Sequence, residues 1–314
     1  MRINPFVFLF VIVVTGAFGQ TEISVSPAMD VLKEFDKIRD FTQTKAGDEA
    51  YFTIQSANEE VSIITVSQKQ ENGWESPRIA SFSGVYKDLE PFLSPNGLKL
   101  YFVSNRPLDN TGAEIKDFDI WFVERNDLKA SWSEPVNMGV PVNSEHNEFY
   151  PAVAKNGNLY FTYDGPTTMG RDDIFFSKLE NGNYQSPEGL SANINSEGFE
   201  YNAYISQDES YLLFGGYNRE DGQGSGDIYI STRNKNGEWS KARPLPPGIN
   251  SRHMDYCPFV DEDNQILYFT SRRSSSPKTG IKSMDSLSKF LDSYENGNSR
   301  LYKTKINIDA LMVN

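Results

Sequence analysis

The chain has 314 residues, a formal charge of -13 at neutral pH, two histidines and one cysteine. That acidity argues against non-specific binding to nucleic acid or to an anionic membrane, because a phosphate surface must be met by clustered Lys and Arg. A lone cysteine excludes an intramolecular disulfide, and 16 Tyr, 21 Phe, 23 Gly and 16 Pro without long helical periodicity favour a β architecture with many tight turns.

The first twenty residues, MRINPFVFLFVIVVTGAFGQ, set Arg2 ahead of an apolar run from Phe6 to Val14 and a small-x-small site at Ala17-Phe18-Gly19. This is the pattern of a cleavable secretory signal over residues 1–19, with an apolar run too short to span a bilayer. Export to the periplasm or beyond is expected, followed by an N-terminal segment at 20–36 and one domain at 37–314.

That domain is a repeat. Anchors at Tyr51-Phe52, Tyr101-Phe102, Tyr160-Phe161, Leu213-Phe214 and Tyr268-Phe269 put successive phenylalanines 50, 59, 53 and 55 residues apart. A tight turn precedes each anchor: AGDE, PNG, KNG, QDES and EDN. Such turns join a first strand to a second. A third strand is marked by Asp119-Ile120-Trp121, Asp173-Ile174-Phe175 and Asp227-Ile228-Tyr229, and more loosely by Ile63-Ile64 and Leu301-Tyr302. Trp74, Trp132, Tyr184 and Trp239 follow, and are expected to open a fourth strand. In three repeats the aromatic is followed at a fixed distance of 11 by Asn-Ser, at Asn143, Asn195 and Asn250.

Four antiparallel strands repeated radially make a β-propeller blade, a solution that leaves few exposed edges. The fifth repeat has no fourth strand of its own. Ser26-Pro27, ahead of the first repeat, lies 50 residues before Ser76-Pro77, as a displaced fourth strand would. The expectation is an all-β propeller of five four-stranded antiparallel blades, with six as the alternative, closed by the N-terminal strand.

The segments EPFLSPNGLKLYFVSNRP (90–107), DFDIWFVER (117–125), SWSEPVNMG (131–139) and DIYISTRNKNGEWSKARPL (227–245) resemble the TolB-type, WD-like β-propeller repeats of bacterial envelope proteins. The resemblance covers roughly residues 37–305. It implies a propeller fold; the expected partner, an envelope protein, peptide or glycan, follows from the signal sequence and the blade-regular pattern without a catalytic constellation. TolB itself carries a six-bladed propeller behind an α/β domain, and here only about 17 residues separate the cleavage site from the first repeat. The chain is therefore expected to be a stand-alone, monomeric propeller.

The loops between second and third strands, together with the blade-to-blade crossings, carry the length variation: 107–117, 164–172, 217–226 and 274–299. Variable loops on a rigid scaffold are where binding sites sit. The candidate face therefore includes DGPTTMGR, ending at Arg171, and the 274–299 loop, where Ile281, Met284, Leu287 and Leu291 are spaced like one side of a short helix. Asp88, Glu148, Glu200 and Asp255 stand at equivalent crossings, just before each first strand. Such a carboxylate ring could bind a ligand or serve a glycosidase. Because it recurs in nearly every blade, a structural task comes first, such as pairing with Arg106, Arg219 or Arg272.

His146 and His253 share an offset after Asn-Ser but lie in different blades, without metal-ligand spacing. DGQGSGD (221–227) reads as a flexible loop, Cys257 in YCPFV as a buried inert thiol. No GxSxG, P-loop or CxxC motif is present, and no motif calls for a cofactor or metal. The function expected is non-enzymatic recognition on the long-loop face; the alternative is a carbohydrate-active hydrolase or lyase using the channel carboxylates.

Overall fold

The computed structural model describes residues 23–108 and 116–313; the expected signal sequence and part of the 107–117 loop lie outside these residues. The first blade comprises Ile38–Gln43, Glu49–Gln55, Ser62–Gln70 and Arg78–Ile79. The second comprises Asp88–Leu93, Lys99–Ser104, Asp119–Glu124 and Val136–Asn137. Glu148–Val153, Leu159–Tyr163, Asp173–Ser177 and Glu188–Gly189 form the third, and Glu200–Ile205, Tyr211–Tyr217, Gly226–Thr232 and Arg243–Pro244 the fourth. The last blade takes Asp255–Asp261, Ile266–Ser271 and Arg300–Lys305 from the C-terminal end and Ser26–Pro27 from the N-terminal end. Each first strand packs against the first strands of both neighbouring blades, and the fifth returns to the first. The ring thus has five blades, not six.

Closure follows the expected route. Ser26 and Pro27 pair antiparallel with Lys303 and Tyr302, and the Ala28 N–H donates to the Leu301 carbonyl at 2.9 Å. The chain then drops Ala28, Met29 and Leu32 into the core, each at most 2% exposed. First and last blades are thereby joined by backbone pairing and apolar burial together.

The anchor phenylalanines make the core. Phe52, Phe102, Phe161, Phe214 and Phe269 are all at most 1% exposed, each contributing about 2–3 kcal/mol of burial before chain entropy is counted. The aromatic after the third strand behaves differently from expectation. In each of four blades the fourth strand starts four residues beyond it, at Arg78, Val136, Glu188 and Arg243. Trp74 and Tyr184 instead sit in short hairpin extensions, opposite Lys69 and Leu179. Trp132 reaches the preceding blade, donating from Nε1 to the Tyr51 hydroxyl at 2.8 Å, and Trp239 meets the Tyr160 ring edge-on at 6.4 Å. In blades 2 and 4 the aromatic is thus a blade-to-blade wedge, placed where a strand residue would have faced its own sheet.

The Asn-Ser pair supplies the other inter-strand device. Asn195 accepts the Ile174 N–H at 2.9 Å and donates to the Ile174 carbonyl at 3.0 Å. Asn143 does the same with Ile120 and Asn250 with Ile228. One primary amide satisfies both backbone groups of a third-strand residue where the two-residue fourth strand has run out.

Candidate functional site

The first three residues of every inner strand have three different tasks. The first is an acid in four blades: Asp88, Glu148, Glu200 and Asp255, each fully buried. Ser144 Oγ donates to Glu148 at 2.6 Å, Ser196 Oγ to Glu200 at 2.7 Å and Ser251 Oγ to Asp255 at 2.7 Å, so the serine of Asn-Ser is the partner of the acid four residues on. Arg106 pairs with Asp88 at 2.6 Å, Arg219 with Glu200 at 3.2 Å, and Arg273 with Asp255 at 3.1 Å. In the last blade the paired arginine is Arg273, not its neighbour Arg272. Among the described residues Glu148 has no paired arginine, and burial raises its pKa to about 8.

The third residue is Asp40, Glu90, Tyr150, Asn202 or Cys257. All five have positive φ, between 47° and 61°, and each coincides with a break in register against the second strand. A bulge of this kind re-aims a side chain; non-glycine residues in this region cost of order 1 kcal/mol or more and persist where surroundings hold them. Here the five meet across the ring. Arg39 donates to Asp40 and Glu90, both at 2.7 Å. The Tyr150 N–H reaches Glu90 Oε2 at 2.7 Å, and the Cys257 thiol reaches Asp40 Oδ1 at 2.9 Å. Burial pushes the Cys257 thiol pKa up, and it also raises the Glu90 carboxyl, with Arg39 opposing. Both Glu90 oxygens are engaged within this plug.

The second residue does not repeat as the acid does: it is Arg39, Leu89, Phe149, Tyr201 or Tyr256. All five line a cavity of about 590 Å³ above the plug, on the face of the crossings and second-to-third loops. Phe118, Phe199, Tyr217 and Met254 complete its apolar wall, with Lys87, Arg272, Glu59 and Asp172 among the polar groups. The size is that of a ligand site. Two pocket residues, Gln55 and Tyr201, bear buried polar atoms, Oε1 and the hydroxyl, with no partner among the described residues. Burial, followed by Asp164 and Asp173, lifts the Asp172 carboxyl to about 6.

Asp88, Glu148, Glu200, Asp255 and Arg106 therefore lie at the blade interfaces beside the pocket and do not line it. Half-buried His146 meets the Tyr163 ring at 6.0 Å, and His253 lies beside Arg252. Exposed Arg171 stands over Phe199, a pocket residue, at 5.8 Å. Among the described residues no group of three or more His, Cys, Asp or Glu side chains could hold a metal, and no helix is long and apolar enough to cross a membrane. Of the pocket residues the sequence reading names only Arg272, although comparing the residue after each repeated acid singles out Leu89, Phe149, Tyr201 and Tyr256.

No family model matches the chain, and no curated protein is similar to it in sequence. Among solved structures it is similar to the α-L-arabinofuranosidase PaAbf62A from Podospora anserina in complex with cellotriose (TM-score 0.51, 12% identity, 87% of this chain and 92% of that one). It is similar also to an α-L-arabinofuranosidase from Lactobacillus brevis (0.50, 14%, 90% and 94%). TolB from Acinetobacter baumannii is matched at a TM-score of 0.47 and 13% identity over 86% of this chain, which spans only 55% of that chain. At such identities the likeness is one of fold, and the fold is a propeller.

Proposed function

We propose that this is an exported, non-enzymatic binding propeller that recognises a protein, peptide or glycan by taking part of it into the axial pocket. The observation that carries this is the contrast between neighbouring positions. The first residue of the inner strand repeats as an acid, whereas the adjacent pocket residue is Arg39, Leu89, Phe149, Tyr201 or Tyr256. Structural duty repeats with the blade; a ligand without fivefold symmetry is met by residues that do not.

A panel of soluble peptides and oligosaccharides titrated into the protein tests the proposal. The double variant Phe149→Ala, Tyr201→Ala should lose what the unaltered protein binds; retention unchanged in that variant would sink it. A hydrolase is the second reading, favoured by the raised Glu90 carboxyl in the pocket. Against it stands the engagement of both Glu90 oxygens by Arg39 and the Tyr150 N–H. Turnover of a polysaccharide panel that disappears in Glu90→Gln would establish the hydrolase instead.

A further inference from the structure

Six charged residues line the axial pocket: Arg39, Glu59, Lys87, Glu90, Asp172 and Arg272. Three are satisfied inside the protein, since Arg39 pairs with Glu90 at 2.7 Å and Glu59 with Lys37. The other three, Asp172, Lys87 and Arg272, have no ion-pair partner among the described residues. Arg272 donates from Nε to Ser299 at 3.2 Å and stacks over Tyr256 at 5.9 Å.

These groups occupy different sides. Asp172 precedes the third strand of blade 3 and bridges to Phe199. The charges that act on it are Asp164, Asp173 and Arg171, all of its own blade. Arg272 follows the second strand of blade 5, and Lys87 precedes blade 2. Between the poles lie aromatic rings, among them Phe118 against Phe149 at 5.4 Å and Phe199 against Tyr217 at 5.7 Å. A half-buried carboxylate beside ring faces favours an ammonium group, by charge and by the ring quadrupole together. Free guanidinium and ammonium groups opposite favour a carboxylate.

We infer that the pocket takes a zwitterionic ligand of short-peptide type, its ammonium group on Asp172, its carboxylate on Arg272 and Lys87, and its apolar side chains on the rings between. This inference rests on the binding reading above. A roughly spherical cavity of 590 Å³ is about 10 Å across, the reach of about three extended residues.

The test is calorimetric titration of the tripeptide Ala-Phe-Ala, its N-acetylated and C-amidated forms, and neutral cellotriose. Acetylation should weaken binding about 10-fold or more, Asp172→Asn should weaken the free peptide by a similar factor, and Asp172→Asn should not further weaken the acetylated one. Amidation and the pair Lys87→Gln, Arg272→Gln should be related in the same way. Asp172→Glu should recover part of the loss, and unchanged melting would exclude misfolding. Loss of affinity on acetylation that persists undiminished in Asp172→Asn overturns the assignment. Cellotriose bound and the tripeptide not, with Phe149→Ala, Tyr201→Ala abolishing the signal, overturns the zwitterion and leaves the binding function standing. Tripeptide affinity unaffected by that double variant overturns both.

Discussion

Removing residues 23–34 takes away the strand that closes the ring, and its cost can be worked from the structure. Met29 and Leu32 are at most 2% exposed, and each is worth about 2–3 kcal/mol of burial; Ala28 adds roughly 1 kcal/mol. The Ala28 N–H bond to Leu301, the Ser26–Pro27 pairing and the Thr304 hydroxyl on the Ser24 carbonyl at 2.8 Å go with them, at about 1 kcal/mol apiece. The total, roughly 8–10 kcal/mol, is comparable to the whole stability of an ordinary domain. Calorimetry should therefore show the melting temperature falling by on the order of 15 °C or more, at about 2 °C per kcal/mol for a chain of this length. The bared edge of Arg300–Lys305 should also make the protein aggregate on heating. The single variant Leu32→Ala, expected to cost about 2–5 kcal/mol, separates apolar anchorage from strand pairing. A deletion variant that melts within 2 °C of the full chain would refute closure through this segment.

Asp88→Asn strips Arg106 of its carboxylate while leaving the guanidinium 5% exposed between Phe102 and Trp121. Urea unfolding should report a loss of about 3–5 kcal/mol, and less than 1 kcal/mol would show that the pair is incidental. Asn195→Ala removes three bonds to Ile174 and Leu190 and should cost about 2–3 kcal/mol, whereas Asn193→Ala, which loses a single bond to Trp239, should cost about 1 kcal/mol. Glu148 titrates near 8 in the folded chain against 4.5 in ordinary surroundings, because burial outweighs the Ser144 bonds and Lys116. Its folded pKa is the higher, so its contribution to stability is intact below pH 4.5 and drains away as pH rises towards 8. Glu148→Gln should flatten the fall in unfolding free energy across that window, by a few kcal/mol at most; parallel profiles would rule the linkage out.

The ring was legible because its information is local and repeated. A Tyr-Phe or Leu-Phe anchor every 50 to 59 residues, a turn before it and, in three repeats, an Asp-Ile after it specify strand order without any long-range contact. Closure by Ser26-Pro27 was legible for the same reason, as a unit missing at one end and surplus at the other. The fourth strand was misplaced by four residues because an aromatic after a turn looks like a strand residue. Only the neighbouring blade, with Tyr51 opposite Trp132, reveals it as a wedge.

The site was hidden by the regularity that revealed the fold. Repetition drew attention to Asp88, Glu148, Glu200 and Asp255, and repetition is the mark of duties each blade performs for itself, here holding a serine and, in three blades, an arginine. The following residue breaks the pattern in every blade, and two residues on, five unlike side chains share one uncommon backbone conformation. That conformation is invisible in sequence, since Asp40, Glu90, Tyr150, Asn202 and Cys257 have no common chemistry. What they share is a bulge, which turns them onto the axis and leaves their predecessors around the mouth of the pocket. In a closed ring of near-identical units, specificity can reside only where the units differ. On the binding reading proposed above, subtracting the repeat leaves Arg39, Leu89, Phe149, Tyr201 and Tyr256, which line the pocket, as the positions where this propeller would tell one ligand from another.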